Sequence, residues 1–354
     1  MPFELTENFP LAPLTTLKVG GAVRFFVQAK DENEIAEAVD FAGKRDLPVF
    51  VLGGGSNVLI SDDGFDGLVL KIANRGIEVF QEQNLLRVTA QAGEDWDEFV
   101  RFCVERNLAG VECLSGIPGS VGGTPVQNVG AYGQEVSETI QSVRVLERAS
   151  GKFFDLTNAD CRFAYRTSIF NTTARDRFVV VAVTFILRSN GEPTIHYKDL
   201  QQFFGAQKPN LKEVSNAVWQ IRRAKSMVVH ADDPNSRSAG SFFKNPIVET
   251  EEFNRIAETA RRLKIVENDA LPPHFSASAD SVKIPAAWLI EKSGFEKGYT
   301  KNGRAGISSN HTLAIVNLGA AAAADVLDLA EEIQFRVREV FGVELKPEPI
   351  FVGF

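Results

Sequence analysis

The chain has 354 residues, 44% of them hydrophobic and 24% charged, with a formal net charge of −8. That length suits two or three domains of ordinary globular composition. The negative charge argues against a nucleic-acid binder, which would carry a basic face, but leaves room for a small anion held by a few local Arg and Lys. Cys103, Cys113 and Cys161 lack the close spacing of a metal site and read as reduced structural thiols. No basic leader and no membrane-length apolar run occurs, so a cytoplasmic protein without membrane insertion is expected.

Residues 15–29 read as extended segments broken by Gly20 and Gly21. Over residues 33–46, Ile35, Ala36, Val39 and Ala42 share one helical face, with Asp31 or Asn33 as the cap. VFVLGGG then predicts a buried strand entering a glycine turn, and residues 56–70 predict short strands. No helix opens at these glycines, and neither G-x-G-x-x-G nor G-K-[ST] occurs, so any phosphate here would be held by turns between strands. A helix is predicted over 95–108 through Trp96, Phe99, Val100, Cys103 and Val104. The glycine-dense run SGIPGSVGGTPVQNVGAYG follows at 115–133. It reads either as a buried turn cluster or as backbone N–H groups turned toward an anion.

Residues 140–187 predict a hairpin around Ser150 and Gly151, then a central strand in RFVVVAVTFIL. CRFAYRTSIFN lies between them. A connection over 191–209 leaves a first domain spanning 1–190, itself in two lobes of about 1–75 and 76–190. The second domain, 210–342, begins with a helix through Leu211, Val214, Val218 and Ile221. Further helices are expected over 250–264, capped by Thr250, over 286–293, and over 320–341, ended by Gly342. A turn and strand are expected over 304–318, and residues 343–354 form a closing strand.

Four residues carry competing readings. Arg166 suits bidentate binding of a carboxylate or phosphate, or makes a surface ion pair. Ser241, between Gly240 and Phe242, is a presented hydroxyl or a structural one; G-x-S-x-G is absent and no His stands at a suggestive offset. Lys225 complements a helix C-terminus or, with Arg222 and Arg223, meets a diphosphate. Glu348, set between Pro347 and Pro349, is rigidly placed for function or is a surface carboxylate. The histidines at 196, 230, 274 and 311 are scattered and carry no signal.

VLGGGSNVLI, GIPGSVGGTPVQNVGAYGQE, CRFAYRTSIF, AGSFFKNP and KPEPIFVGF, in this order, resemble the UDP-N-acetylenolpyruvoylglucosamine reductase family nearly end to end. The resemblance implies an α+β protein: a two-part FAD-binding domain of the vanillyl-alcohol-oxidase (PCMH) type and an α+β substrate-binding domain. FAD would be bound by Gly53, Gly54, Gly55, Ser56 and Asn57, by Ile117, Pro118, Gly119, Ser120, Gly122 and Gly123, and by Asn128, Gly130 and Tyr132. Hydride would pass from NADPH to the flavin and from its N5 to C3 of the enolpyruvyl ether of UDP-N-acetylglucosamine.

In the same resemblance Ser241 would deliver the proton to C2, while Arg166 and Glu348 hold the substrate carboxylate. Tyr197, Lys225 and Asn245 match positions that hold the UDP and diphosphate, and Tyr197 resembles the subgroup with an extra loop over the nucleotide. Two departures stand out: residues 226–237 are longer than in the shortest members, and Pro349-Ile350 replace the Val-Arg of some relatives. The protein is expected to act as a monomer. The rival readings are an oxidase on the same flavin fold and a non-catalytic nucleotide-sugar or flavin binder. Against the first, no His lies in the glycine turns to tether a flavin.

Overall fold

The computed structural model describes residues 3–82, 85–267 and 269–354, and divides into two compact units. The first takes residues 1–10, 22–55 and 65–228, and the second takes 11–21, 56–64 and 229–354.

Two large sheets and the two-stranded pair Gly130–Ala131 and Gln134–Glu135 build the described part of the first unit. One runs in the order Leu5–Pro10, Ala22–Ala29, Phe65–Ile72, Val49–Leu52, antiparallel at its first pair and parallel thereafter. Parallel pairing needs a crossover, and the helix Glu32–Gly43 supplies it. Asp31 starts that helix, its carboxylate accepting the Glu34 N–H at 2.9 Å. The other sheet is antiparallel, in the order Lys152–Thr157, Ile140–Glu147, Phe178–Ser189, Leu85–Gln91, Ile77–Glu82. Its longest strand, Phe178–Ser189, is buried along most of its length, as the apolar run VVVAV requires. The helix Trp96–Glu105 buries Trp96, Phe99, Val100, Cys103 and Val104, and Asp95 caps it.

The boundary expected at 210 falls elsewhere. Asn210 and Glu213 form a reciprocal capping pair that opens the helix Leu211–Ala224, and this helix belongs to the first unit. Its Val214, Ala217 and Val218 pack with Cys113, Tyr132, Leu200 and Phe204. The segment expected to be a plain connection also contains a helix, Lys198–Phe204. Apolar periodicity identified the helix Leu211–Ala224 but carried no information about which core receives it.

In the second unit a core of Phe242, Phe243, Ile256, Leu289, Ile290, Ile333 and Val337 also takes in Leu17, Val19 and Leu59 from early in the chain. Its longest helix, Ala323–Phe341, begins three residues later than expected and ends at Gly342 in the left-handed conformation, φ 74°. The Asp62 carboxylate accepts the N–H groups of Ala323 and Ala324 at 2.8 and 3.0 Å, occupying donors that a helix start leaves open. In the helix Thr250–Arg262 the cap position is Glu249, not Thr250, whose hydroxyl donates to the Asp280 carbonyl. The closing strand Ile350–Val352 lies parallel to Val58–Ile60. No helix among the described residues is long and apolar enough to cross a membrane.

Candidate functional site

In the first unit the two glycine turns meet. A Cβ on Gly54 would stand 2.4 Å from Gly119 Cα, and one on Gly53 would stand 2.7 Å from Ser120 Oγ. Only glycine allows backbones to approach so closely. Lys71 reaches under the first turn and donates to the Gly53 carbonyl, and burial, with Arg75 nearby, pushes its pKa down. The second turn spends much of its backbone inward. The N–H groups of Val121 and Gly122 donate to Glu94 and Ala92, and those of Gly123 and Thr124 to Ser120 and Val121. An N–H cradle for an anion is therefore narrower than the glycine density suggested. The Ser120 hydroxyl is buried and has no hydrogen-bond partner among the described residues. A buried polar atom without a partner costs free energy, which a ligand oxygen here would recover. Ser56 and Asn57 fall in the second unit.

Past the second turn, Asn128 is 1% exposed and its amide is occupied. Nδ2 donates to Glu135 Oε2 at 2.6 Å and to the Ala164 carbonyl at 3.2 Å, and Oδ1 accepts the Ser137 N–H at 3.1 Å. These bonds fasten the loop to the turn that carries Arg166. Ala164 and Thr167 bond each other across that turn, and Arg166 sits at its tip with φ 53°. Large side chains at positive φ are uncommon, though Lys18, Arg162 and Lys264 adopt it too. Arg166 Nη2 donates to the Gly130 carbonyl at 3.0 Å, and Asn171 holds the Arg166 carbonyl at 3.1 Å.

The structure joins Tyr132, Tyr197 and Lys225, which lie far apart in sequence. The tyrosine rings meet edge to face, with centroids 5.4 Å apart. Lys225 Nζ is 3.1 Å from Asp199 Oδ2, two residues after Tyr197. Burial raises both tyrosine pKa values. Buried Glu112 anchors the approach to Tyr197, accepting N–H groups of Gly110 at 2.7 Å and Thr194 at 2.9 Å and the Gln134 amide at 2.8 Å. Arg222, read as a partner of Lys225 toward a diphosphate, is buried instead. It donates to the carbonyls of Gly116 and Met227, each at 3.1 Å, and hydrogen-bonds Tyr132; burial lowers its pKa. Its role as an internal brace was illegible, because a basic run at a helix end gives no clue to which member turns inward.

Ser241 and Glu348 come together in the second unit. The Phe242 N–H donates to Leu313 at 2.7 Å, while the Glu348 N–H donates to Phe242 at 2.8 Å and the Lys244 N–H to Lys346 at 3.0 Å. Ser241 thus lies on a segment held between residues 313–317 and the tail. Asn57 secures the tail: its amide donates to the Glu348 carbonyl at 3.3 Å and its own carbonyl accepts the Ile350 N–H at 3.0 Å. Asn245 accepts the Ala286 N–H at 2.8 Å, opening the helix Ala286–Lys292. The histidines were not all uninformative: His311 Nε2 lies 3.3 Å from Ser241 Oγ. Seventy positions separate the two, so no local pattern could reveal the pair.

The paired glycine turns with a partnerless buried hydroxyl fit a flavin nucleotide, and residues 23–157 match the family model described as an FAD binding domain. Fold and turns together define an FAD-binding flavoprotein without a Rossmann helix. Residues 232–352 match a second model, the C-terminal domain of UDP-N-acetylenolpyruvoylglucosamine reductase. The chain is 43% identical over 358 residues to the reductase of that name from Thermobifida fusca, covering 100% of this chain and 99% of the relative. It is 44% identical over 356 residues to that of Saccharopolyspora erythraea, covering 98% and 95%. A crystal structure of the reductase from Thermus caldophilus shares the fold, with a TM-score of 0.66, 24% identity and 99% coverage of both chains. The chain belongs to the UDP-N-acetylenolpyruvoylglucosamine reductase family.

Proposed function

We propose that this protein reduces the enolpyruvyl ether of UDP-N-acetylglucosamine-enolpyruvate to UDP-N-acetylmuramate for peptidoglycan synthesis, with NADPH as the reductant. The reading rests on end-to-end identity of 43% to a reductase of that name. Bound FAD supplies hydride transfer between a nicotinamide nucleotide and the substrate. The Gly53–Gly55 turn and residues 117–123 hold it, with the Ser120 hydroxyl as a polar contact.

Adding hydride to C3 leaves an electron pair at C2, so the protein must supply a proton there and stabilise charge on the adjacent carboxylate. Ser241 donates the proton to C2. Arg166 and Glu348 bind the carboxylate, and Tyr197, Lys225 and Asn245 bind the uridine diphosphate. A fixed backbone supports the role of Ser241: Phe242 is bonded on both sides, which limits where the hydroxyl can move. Buried, reduced thiols at Cys103, Cys113 and Cys161 suit the cytoplasm, and a monomer is the working form.

The test separates the half-reactions. In Ser241→Ala, anaerobic reduction of the flavin by NADPH should proceed nearly as in the parent. Its reoxidation by the enolpyruvyl substrate should slow by on the order of 10²–10⁴. An equal loss in both half-reactions would make the serine structural, and no flavin reoxidation by that substrate in the parent protein would end the substrate assignment.

A further inference from the structure

We propose that His311 is the proton relay behind Ser241, returning a proton to the hydroxyl as its own leaves for substrate carbon. The inference deepens the proposed reaction and rests on Ser241 being its proton donor. A serine hydroxyl acting alone would finish the step as an alkoxide, a poor state to leave in a partly buried site. An imidazole within hydrogen-bond reach removes that difficulty, because its ring nitrogen can hold a proton and pass it on.

The geometry is built into the backbone of the second unit. The strands Ala305–Ile307 and Ile315–Asn317 form a hairpin, and His311 lies in its loop. Ser308 and Ala314 close that loop with a 2.8 Å bond, and the Ala314 N–H donates to the His311 carbonyl at 3.1 Å. At the next residue in the loop, the Thr312 hydroxyl donates to Glu291 Oε1 at 2.5 Å. The serine segment runs alongside: Asn317 donates to Arg237 at 2.9 Å, Ser238 pairs with Val316, and Phe242 donates to Leu313 at 2.7 Å. Nε2 and Oγ are left 3.3 Å apart by two segments locked at several points. Hydrogen bonds of this kind are often long before substrate binds and tighten afterwards.

The step balances. The electron pair left at C2 by the reduction takes the Ser241 proton, forming C–H as O–H breaks. The imidazolium Nε2–H bond breaks as O–H reforms, leaving a neutral imidazole that solvent reprotonates.

The experiment uses FAD-loaded protein reduced with NADPH, mixed with saturating enolpyruvyl substrate while flavin reoxidation is followed. His311→Ala should reoxidise about 10- to 100-fold more slowly, with NADPH reduction unchanged. His311→Gln keeps a hydrogen-bonding partner for the serine but no transferable proton, and should be equally slow. Added imidazole should restore His311→Ala and leave Ser241→Ala slow. A parental rate in His311→Gln overturns the proposal, as does a defect confined to KM, which would place the imidazole on substrate. Failure of imidazole to rescue His311→Ala overturns it too. If the His311 variants are fast while Ser241→Ala is slow, only the histidine is lost; if Ser241→Ala itself is fast, the serine reading falls.

Discussion

Gly54 shows how much a single missing side chain decides. Its Cβ would meet Gly119 at 2.4 Å and 2.6 Å, both contacts to backbone that cannot swing aside. Gly54→Ala must push the two turns apart, at a cost of about 1–3 kcal/mol by analogy with overpacked cores. The expected result is a lowered melting temperature and purified protein with little FAD; parental flavin content would show that the turns do not set the cofactor site. The two clusters were visible in the sequence as glycine runs, but their meeting was not, since 65 positions separate Gly54 from Gly119. Arg166 is similar. Its residue type suggested an anion partner, whereas its left-handed turn and its bond to Gly130 come from contacts that no local pattern encodes.

Helices were the most legible elements, because caps and apolar spacing are local. Asp31, one of two caps offered, and Gly342 mark ends as expected, whereas Asp95 stands before its helix as the cap rather than inside it. The start of Ala323–Phe341 was misplaced, because an alanine run carries no cap signal and the donors are satisfied by distant Asp62. Asp325 adds to that start. Its carboxylate accepts the Ala322 N–H at 2.9 Å, Asn302 at 2.7 Å and Arg304 at 2.6 Å, and the backbone bond foremost holds its pKa below the ordinary 3.8. A depressed folded-state pKa adds stability at pH values above the ordinary one and loses it as the pH falls through the folded value. Asp325→Asn should therefore cost about 1–2 kcal/mol at neutral pH. Chemical denaturation should show the gap closing as acid protonates the parent carboxylate; a gap constant down to low pH would assign the loss to packing.

At the scale of the whole molecule, the second unit is not a contiguous piece of chain. Leu17, Val19 and Leu59 lie in its core, and Val58–Ile60 pairs with its last strand. A fragment of residues 229–354 lacks all of these and should show no cooperative thermal unfolding by circular dichroism. A sharp transition near that of the full chain would mean the early segments are dispensable. Sequence by itself determined most of the element types, the helix Lys198–Phe204 excepted, and, through five ordered motifs, the family. Each of these is written in short stretches of neighbouring residues, where side-chain period and glycine freedom act directly. Tertiary structure alone decided which unit receives the helix Leu211–Ala224, that Arg222 turns inward, that Asn128 is a fastener, and that His311 stands beside Ser241. Those outcomes depend on burial and on hydrogen bonds between residues tens or hundreds of positions apart, and only the folded chain brings such partners within reach.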